Sequence, residues 1–158
     1  FQKESLHLFS VIKQVEYNYK PLVSEKNIEL KIEIDKNTFV FMDLDSLKII
    51  LRNLLDNSLK FTNEKGVISI FTQKYNSEYI QLIIEDTGVG MSDSVIRELL
   101  QDNSQLSKKF NKETIGTGLG MQLCKSMLLK NEGKLNIESQ EEIGTKIILF
   151  LPKYLTNE

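Results

Sequence analysis

A polar stripe runs along one side of a strongly predicted helix. In "DLDSLKIILRNLLDNSLKF", the helical turn of about 100° per residue places Asn53, Asn57 and Lys60 within one narrow arc, opposite the leucines. Amide oxygens are acceptable ligands for Mg²⁺, and a lysine is a point charge suited to phosphate. The stripe therefore indicates either a site for a metal-bound phosphate or an ordinary solvated helix face.

A carboxylate stands at the end of the most apolar predicted strand. In "YIQLIIEDTGVG", Asp86 closes the strand and is followed by Gly88 and Gly90. A carboxylate at a buried strand end usually has a partner. It either caps the turn made by Thr87 and Gly88, or accepts a hydrogen bond from an exocyclic amine such as that of adenine. In the second case the glycines let the ligand approach.

Three glycines at alternate positions precede another predicted helix. They are Gly116, Gly118 and Gly120 in "GTGLGMQLCKSML", and they belong to a chain with only eight glycines. Glycine at a helix start costs backbone entropy, so a cluster of three needs a reason. Exposed backbone amides at a helix N-terminus bind anions such as phosphate. A flexible loop between two elements is the alternative.

Composition bounds the class of protein. The 158 residues, 41% hydrophobic and 27% charged, suit a single globular domain over residues 1–158. The net charge of −2 predicts no nucleic-acid partner, and no apolar run approaches a membrane span. The lone Cys124 rules out an internal disulfide and a cysteine metal cluster, and fits a reducing, cytoplasmic location. Because the chain begins with Phe1, we expect a piece of a longer protein whose parent can be membrane-anchored.

Common nucleotide motifs are absent. Met121 stands where a dinucleotide fingerprint needs its third glycine, and Gly133-Lys134 is followed by leucine rather than the serine or threonine of a phosphate-binding loop. Protein-kinase catalytic-loop motifs are missing. His7 has no companion at the spacing of a catalytic or metal site, and we interpret it as a surface residue of a helix.

The hydrophobic pattern predicts an order of elements. Helical spacing indicates an N-terminal helix that ends or kinks near Pro21, and a second helix capped by Asp43. Alternating or apolar runs predict strands in "NIELKIEI", "TFVFM", "VISIFTQKY", "YIQLIIED", "KLNIES" and "TKIILFL". Ser92 caps a short predicted helix, and a final helix covers about residues 119–131. The polar segment from Gln101 to Thr117 indicates a functional lid or a disordered loop.

The order of the motifs resembles the ATP-binding catalytic domain of sensor histidine kinases. The stretches that carry the resemblance are "DLDSLKIILRNLLDNSLKFTNEKGVISI", "IEDTGVGM", "GTGLGMQLCKSML" and "GTKIILFLP". This family shares a fold with gyrase-type topoisomerases, mismatch-repair ATPases and heat-shock chaperone ATPases. The resemblance implies an α+β fold of the Bergerat type, a two-layer α/β sandwich. Its sheet is mixed and mainly antiparallel, with helices on one face.

The resemblance implies roles for matching residues. Asn57 matches the magnesium ligand, Asn53 lies one turn earlier near the phosphates, and Lys60 matches a basic residue that contacts phosphate; we expect Asn57 and Lys60 to act in catalysis. Phe61 stands where an aromatic ring packs on the nucleotide. The other expected contacts to ATP belong to the adenine carboxylate, the two glycine boxes and a residue beside the adenine: Asp86, Gly88, Gly90, Gly116, Thr117, Gly118, Leu119, Gly120 and Thr145.

The sequence departs from the family pattern in the lid. Many members carry a Phe-x-Pro-Phe box between the two glycine boxes, whereas "ELLQDNSQLSKKFNKETIG" has no proline. Phe110 can replace one of the aromatics. Lys108, Lys109 and Lys112 either contact the γ-phosphate when the lid closes or form a solvated charge run.

The resemblance also implies cofactors and partners. Mg²⁺ and ATP bind, the γ-phosphate goes to a histidine on a separate dimerisation domain of the same protein, and a response regulator receiver domain takes it next. The sequence around His7 lacks the acidic neighbour and following proline of such an acceptor, so the isolated chain is expected to be monomeric and not to phosphorylate itself. The alternatives are a nucleotide-binding pseudokinase module and an anti-sigma-factor-type serine kinase.

Overall fold

The computed structural model describes residues 1–101 and 119–155. Within these ranges the chain forms seven strands and four helices. In order they are β1 (Lys3–His7), α1 (Leu8–Glu25), β2 (Glu29–Glu33), β3 (Phe39–Asp43), α2 (Leu44–Phe61), β4 (Val67–Lys74), β5 (Tyr79–Asp86), α3 (Asp93–Leu100), α4 (Leu119–Lys130), β6 (Lys134–Gln140) and β7 (Gly144–Pro152).

The strands form two sheets. A five-stranded sheet has the order β2-β4-β5-β7-β6, and a two-stranded sheet pairs β1 with β3. Among the strands in the described ranges, the β2–β4 pair is parallel and the other pairs are antiparallel. A bridge between Val40 and Lys153 joins the small sheet to the end of β7. The α+β class with a mixed, mainly antiparallel sheet is therefore confirmed.

The helices cover one face of the large sheet. Ile80, Leu82 and Ile84 of β5 are buried in the same apolar core as the leucine face of α2. Ile83, on the opposite face of the sheet, is buried but lies outside that core cluster. Successive side chains of a strand point to opposite faces of the sheet, so every second residue of a strand faces the helices. We call these residues the inward row of the strand. Where the helices leave the end of the sheet uncovered, the last residue of an inward row is accessible to a ligand.

In the N-terminal region His7 differs from the sequence-based expectation, and helix α1 does not end at Pro21. His7 ends strand β1 instead of lying on a helix, and its ring nitrogens contact the Ser10 hydroxyl and the Lys36 carbonyl, each at 2.6 Å. Helix α1 continues past Pro21 to Glu25. Because Pro21 and Tyr17 are exposed, the Tyr17 carbonyl that loses its helical partner can bond to water.

Asp43 caps helix α2 as predicted. Its Oδ2 accepts hydrogen bonds from the Ser46 amide at 2.9 Å and the Ser46 hydroxyl at 2.8 Å, while Oδ1 accepts one from the Gln2 amide at 2.9 Å. The backbone hydrogen bonds from Gln2 and Ser46 lower the pKa of this carboxyl. One side chain therefore joins the start of α2 to the strand pair β1–β3.

We expect Asp43→Ala to lower the free energy of unfolding by about 0.5–2 kcal/mol, the usual cost of losing an N-cap. Because folding lowers the pKa of Asp43 below its ordinary value of 3.8, the stabilisation is complete above pH 3.8. It is lost as the pH falls through the lowered pKa. Urea unfolding between pH 3 and 7 measures both effects. Asp43→Asn keeps a capping oxygen but not the charge, so at pH 7 it should lose less stability than Asp43→Ala. Equal losses in the two variants would contradict the capping role.

Candidate functional site

A cavity of about 330 Å³ opens where α2, α3 and α4 leave the end of the sheet uncovered. Its lining comes from three helices, two strands and two loops, and it combines a few polar groups with a larger apolar surface. The lining residues are Asn53, Leu54, Asn57, Ser58, Phe61, Asp86, Gly90, Met91, Ser92, Val95, Leu99, Gly120, Met121, Glu141, Thr145 and Ile147. A mostly apolar cleft with a few convergent polar groups is the usual form of a small-molecule site.

Polar residues end the inward rows of three adjacent strands at this cavity. Asp86 of β5 lies opposite Thr145 of β7, and Thr145 lies opposite Ser139 of β6. One step further into the core, the same rows carry Ile84, Ile147 and Ile137. The strand register therefore places a polar row beside the cavity while the rest of this face stays apolar.

Asp86 is the buried acceptor of the cavity, since its side chain is only 9% exposed. Its Oδ1 accepts a hydrogen bond from the Gly88 amide at 2.9 Å. Burial raises the pKa of Asp86, and hydrogen bonds from the Gly88 amide, the Ser58 hydroxyl and the Thr145 backbone oppose this rise. A ligand that donates a further hydrogen bond to this carboxylate would help to offset the cost of its burial.

The loop after β5 contains Gly88 and Gly90, and we call it the glycine loop. It is held between the end of α2 and the turn joining β6 to β7. The Val89 amide donates to the Phe61 carbonyl at 3.1 Å, and the Glu142 amide donates to the Val89 carbonyl at 2.6 Å. A Cβ on Gly88 would lie 2.6 Å from the Phe61 carbonyl oxygen. Gly88 is thus packed behind the cavity, whereas Gly90 lines it.

Helix α2 contributes both amides of the predicted stripe to the cavity. Asn53 and Asn57 are half-buried, and Asn53 Nδ2 donates to the Ile49 carbonyl at 3.0 Å. Its Oδ1 faces the first turn of α4, where a Cβ added to Gly120 would come within 3.1 Å. The absence of a side chain at Gly120 therefore lets α4 begin close to Asn53.

Lys60 lies beside the cavity and not in its wall. Its side chain is exposed, and its Nζ is 5.4 Å from the ring centroid of Phe61, which does line the cavity. Lys60 also borders a separate depression at the C-terminal ends of α1 and α2, shared with Lys26 and Asp56. The positive charge of Lys60 therefore lies at the rim of the cavity, beside Phe61.

The structure brings together seven of the predicted site residues, namely Asn53, Asn57, Phe61, Asp86, Gly90, Gly120 and Thr145. Gly88 and Lys60 are adjacent to the cavity, and Leu119 begins helix α4. Gly116, Thr117 and Gly118 lie outside the described residues, as do Lys108, Lys109, Phe110 and Lys112. The roles of all these residues in binding stay predictions.

Several residues in or beside the cavity wall were missed by the sequence analysis; Ser58, Met91 and Met121 line the cavity, and Ser139 lies beside it. Ser58 is a hydroxyl on the leucine face of α2, and Ser139 takes the inward position after Leu135 and Ile137. A polar residue in an apolar periodic position is a usable signal for both. Met91 and Met121 carry no such signal, because apolar side chains that line a cavity have the same pattern as core residues.

Residues 1–101 and 119–155 hold neither a metal-binding cluster nor a membrane-spanning helix. They contain no cluster of three or more His, Cys, Asp or Glu residues able to hold a metal ion. No helix among them is long and apolar enough to cross a membrane.

We expect Gly90→Ala to destabilise the protein and distort the cavity. Gly90 has φ +70°, and an added Cβ would lie 2.0 Å from the Gln140 carbonyl oxygen. The left-handed backbone alone costs a non-glycine residue about 1–2 kcal/mol. For a chain of this size that lowers the Tm by roughly 2–8 °C, measurable by differential scanning calorimetry. Val89→Ala, at an exposed side chain of the same loop, is the control. A wild-type Tm for Gly90→Ala would contradict the packing described here.

The family of this domain is shown by its sequence. Residues 42–155 match the family described as histidine kinase-, DNA gyrase B- and HSP90-like ATPases. Because this match covers more than half of the sequence, the chain belongs to that family.

The relatives are sensor kinases. The chain is 30% identical over 156 residues to the autoinducer 2 sensor kinase/phosphatase LuxQ of Vibrio cholerae, covering 96% of this chain and 18% of LuxQ. It thus spans less than a fifth of that relative. Among solved structures, the catalytic domain of histidine kinase ThkA matches with a TM-score of 0.81 and 21% identity, over 97% of both chains. Full-length ShkA in complex with AMPPNP matches with a TM-score of 0.82 and 18% identity, over 99% of this chain and 32% of ShkA.

Proposed function

We propose that residues 1–158 are the single ATP-binding catalytic domain of a sensor histidine kinase. In this function the domain binds Mg·ATP and presents its γ-phosphate to a histidine on a separate dimerisation domain. The observation that carries the proposal is that Asp86 and Asn57 line the same cavity in a chain of this ATPase family. A buried acceptor for a base and an amide for a phosphate-bound ion are thus within one site.

The adenine would occupy the end of the cavity formed by the sheet. Asp86 accepts a hydrogen bond from the exocyclic amine, with Thr145 beside it on the neighbouring strand. Phe61, Met91 and Met121 supply the apolar and aromatic walls that a flat base contacts. The neighbour ShkA, which shares this fold, was solved in complex with AMPPNP, an adenine nucleotide analogue, and this supports an adenine nucleotide as the ligand.

The phosphates would lie between α2 and the start of α4. Asn53 and Gly120 meet there, and a helix N-terminus favours negative charge. Gly116, Thr117 and Gly118 directly precede this helix in sequence. Lys60 adds a positive charge at the rim, next to Phe61.

The donors present fit a magnesium ion that arrives with the nucleotide. Mg²⁺ keeps several waters and is often held by one or two protein oxygens together with substrate phosphates. The Asn57 amide oxygen supplies one such ligand from the wall of the cavity. When bound, the ion would neutralise phosphate charge during phosphoryl transfer.

The domain's contribution to the reaction would be positioning and charge neutralisation. Phosphoryl transfer asks little covalent chemistry of the protein. Asp86 orients the base, Asn57 and Asn53 orient the phosphates, and Lys60 supplies charge. The acceptor imidazole brings its own lone pair, so no strong base is required within the cavity.

The partners follow from the proposed reaction. One is the dimerisation domain of the same protein, which carries the acceptor histidine. The other is a response regulator receiver domain, and the neighbour ThkA has been solved in complex with the response regulator TrrA. We propose a cytoplasmic location for the domain, where ATP and a receiver domain are both present.

Phosphotransfer with [γ-³²P]ATP tests the proposal. The chain alone should stay unlabelled, and adding the dimerisation domain of its parent protein should give acid-labile, base-stable label on that domain. Binding of Mg·ADP without transfer would indicate a pseudokinase module and overturn the kinase proposal. Acid-stable label on a serine would indicate a serine kinase instead.

A further inference from the structure

Ser139 ends the polar row at the cavity, one strand further from Asp86 than Thr145. It is half-buried on β6, at the inward position that follows Leu135 and Ile137. Its hydroxyl makes three polar contacts. The Met91 amide donates to Ser139 Oγ at 2.8 Å, Ser139 Oγ donates to the Gly144 carbonyl at 2.9 Å, and Thr145 Oγ1 lies 2.8 Å away.

The other hydrogen bonds of Ser139 decide whether Ser139 or Thr145 is the donor in the contact between their hydroxyls. A serine hydroxyl has one hydrogen and two lone pairs. The Gly144 carbonyl can only accept, so it takes the hydrogen of Ser139. The Met91 amide can only donate, so it occupies one lone pair. The remaining lone pair of Ser139 faces Thr145, which must therefore be the donor.

This direction decides what Thr145 offers to the cavity. With its own hydrogen committed to Ser139, Thr145 Oγ1 presents only lone pairs. Asp86, opposite Thr145 on the next strand, is also an acceptor. The sheet end of the cavity therefore accepts hydrogen bonds from a ligand, or from a water beside it, and a ligand carbonyl placed there faces lone pairs.

We propose that Ser139 is a positioning residue for base selectivity, acting through the hydroxyl of Thr145. By keeping Thr145 an acceptor, it favours a purine with an exocyclic amine over one with a carbonyl at the same position. The inference rests on the proposed adenine-nucleotide function. It adds a residue outside the cavity wall to those that set the selectivity.

Calorimetric titration with Mg·ADP and Mg·IDP tests the role of Ser139, since inosine carries a carbonyl in place of the adenine amine. The wild type should prefer ADP by about ten- to a hundredfold, the range of a charged hydrogen bond. In Ser139→Ala the Thr145 hydroxyl is free to turn and donate. The ADP:IDP affinity ratio should then fall by about two- to tenfold, the range of a neutral hydrogen bond.

Two variants serve as matched controls. Ser139→Thr keeps the hydroxyl and should restore the wild-type ratio. Thr145→Val removes the lone pairs and should lower the ratio as Ser139→Ala does, and adding Ser139→Ala to it should change the ratio no further. Thr145→Val also tests the inference if Ser139→Ala does not fold.

The possible outcomes separate this inference from the proposed function. A purely structural role of Ser139, such as holding the loop at Met91, would weaken ADP and IDP binding equally. An unchanged ratio in Ser139→Ala or Thr145→Val, with ADP still bound, would overturn the inference alone. A wild type that binds neither nucleotide would overturn the proposed function, and this inference with it.

Discussion

Replacing Asp86 with asparagine is expected to weaken the binding of Mg·ADP by about ten- to a hundredfold. The carboxylate is buried at the end of β5, and the proposed ligand would donate a hydrogen bond to it from the adenine amine. Loss of a hydrogen bond to a charged group costs roughly 1.5–3 kcal/mol, which corresponds to this range of affinity. Isothermal titration calorimetry of both proteins measures the effect.

Glu85→Gln is the matched control for Asp86→Asn. It removes the same charge from the residue that precedes Asp86 in β5. The side chain of Glu85 is exposed and points to the opposite face of the sheet. The Tm of nucleotide-free Asp86→Asn should be measured beside its affinity, because the amide relieves the cost of a buried charge but cannot accept every hydrogen bond that Gly88, Ser58 and Thr145 donate to the carboxylate. Equal ADP affinity in Asp86→Asn and the wild type would contradict the proposal that the adenine lies at this end of the cavity.

Asn57→Ala is expected to slow phosphoryl transfer to the acceptor histidine by about a hundredfold or more. The side chain lines the cavity from α2 and is the proposed protein ligand of the nucleotide-bound Mg²⁺. Removing one preorganised electrostatic group from an active site commonly costs about 10²–10³ in rate. Initial rates of label transfer from [γ-³²P]ATP at saturating nucleotide give the comparison.

The control for Asn57→Ala is Asn18→Ala. Asn18 is an exposed amide on α1, a helix that contributes nothing to the cavity wall among the described residues. It should transfer phosphate at the wild-type rate. Because Asn57 is proposed to act on the metal and phosphates, its loss should also reduce the dependence of ADP affinity on magnesium concentration. Transfer by Asn57→Ala at the wild-type rate would exclude Asn57 as the ligand.

Ser58 and Ser139 show why part of the site lies beyond residue spacing alone. Both occupy positions where the periodic pattern calls for an apolar side chain, so each could have been recognised as an exception. The residues that these two serines contact could not have been recognised from the sequence pattern. Ser139 meets Met91 and Thr145 only because β6 pairs with β7 and the glycine loop packs over their turn.

Local pattern also failed at the N-terminus for a physical reason. Strand β1 has the sequence "KESLH", which is polar and short, and Leu6 is its only buried residue. It is a strand because it pairs with β3 in the small sheet. Helix α1 passes through Pro21, where the exposed Tyr17 carbonyl can bond to water and the following turn buries Val23.

The sequence by itself determined the class of fold, most of the elements and many of the residues that line the cavity. Periodicity specifies helix and strand locally, and the Asn53–Asn57 stripe lies on one side of α2 wherever that helix packs. The tertiary structure alone decided which of these groups meet. The register of β5, β7 and β6 aligns Asp86, Thr145 and Ser139 in one row, and the start of α4 beside Asn53 brings Gly120 into the cavity wall. These contacts join residues far apart in the chain, so no local pattern encodes them.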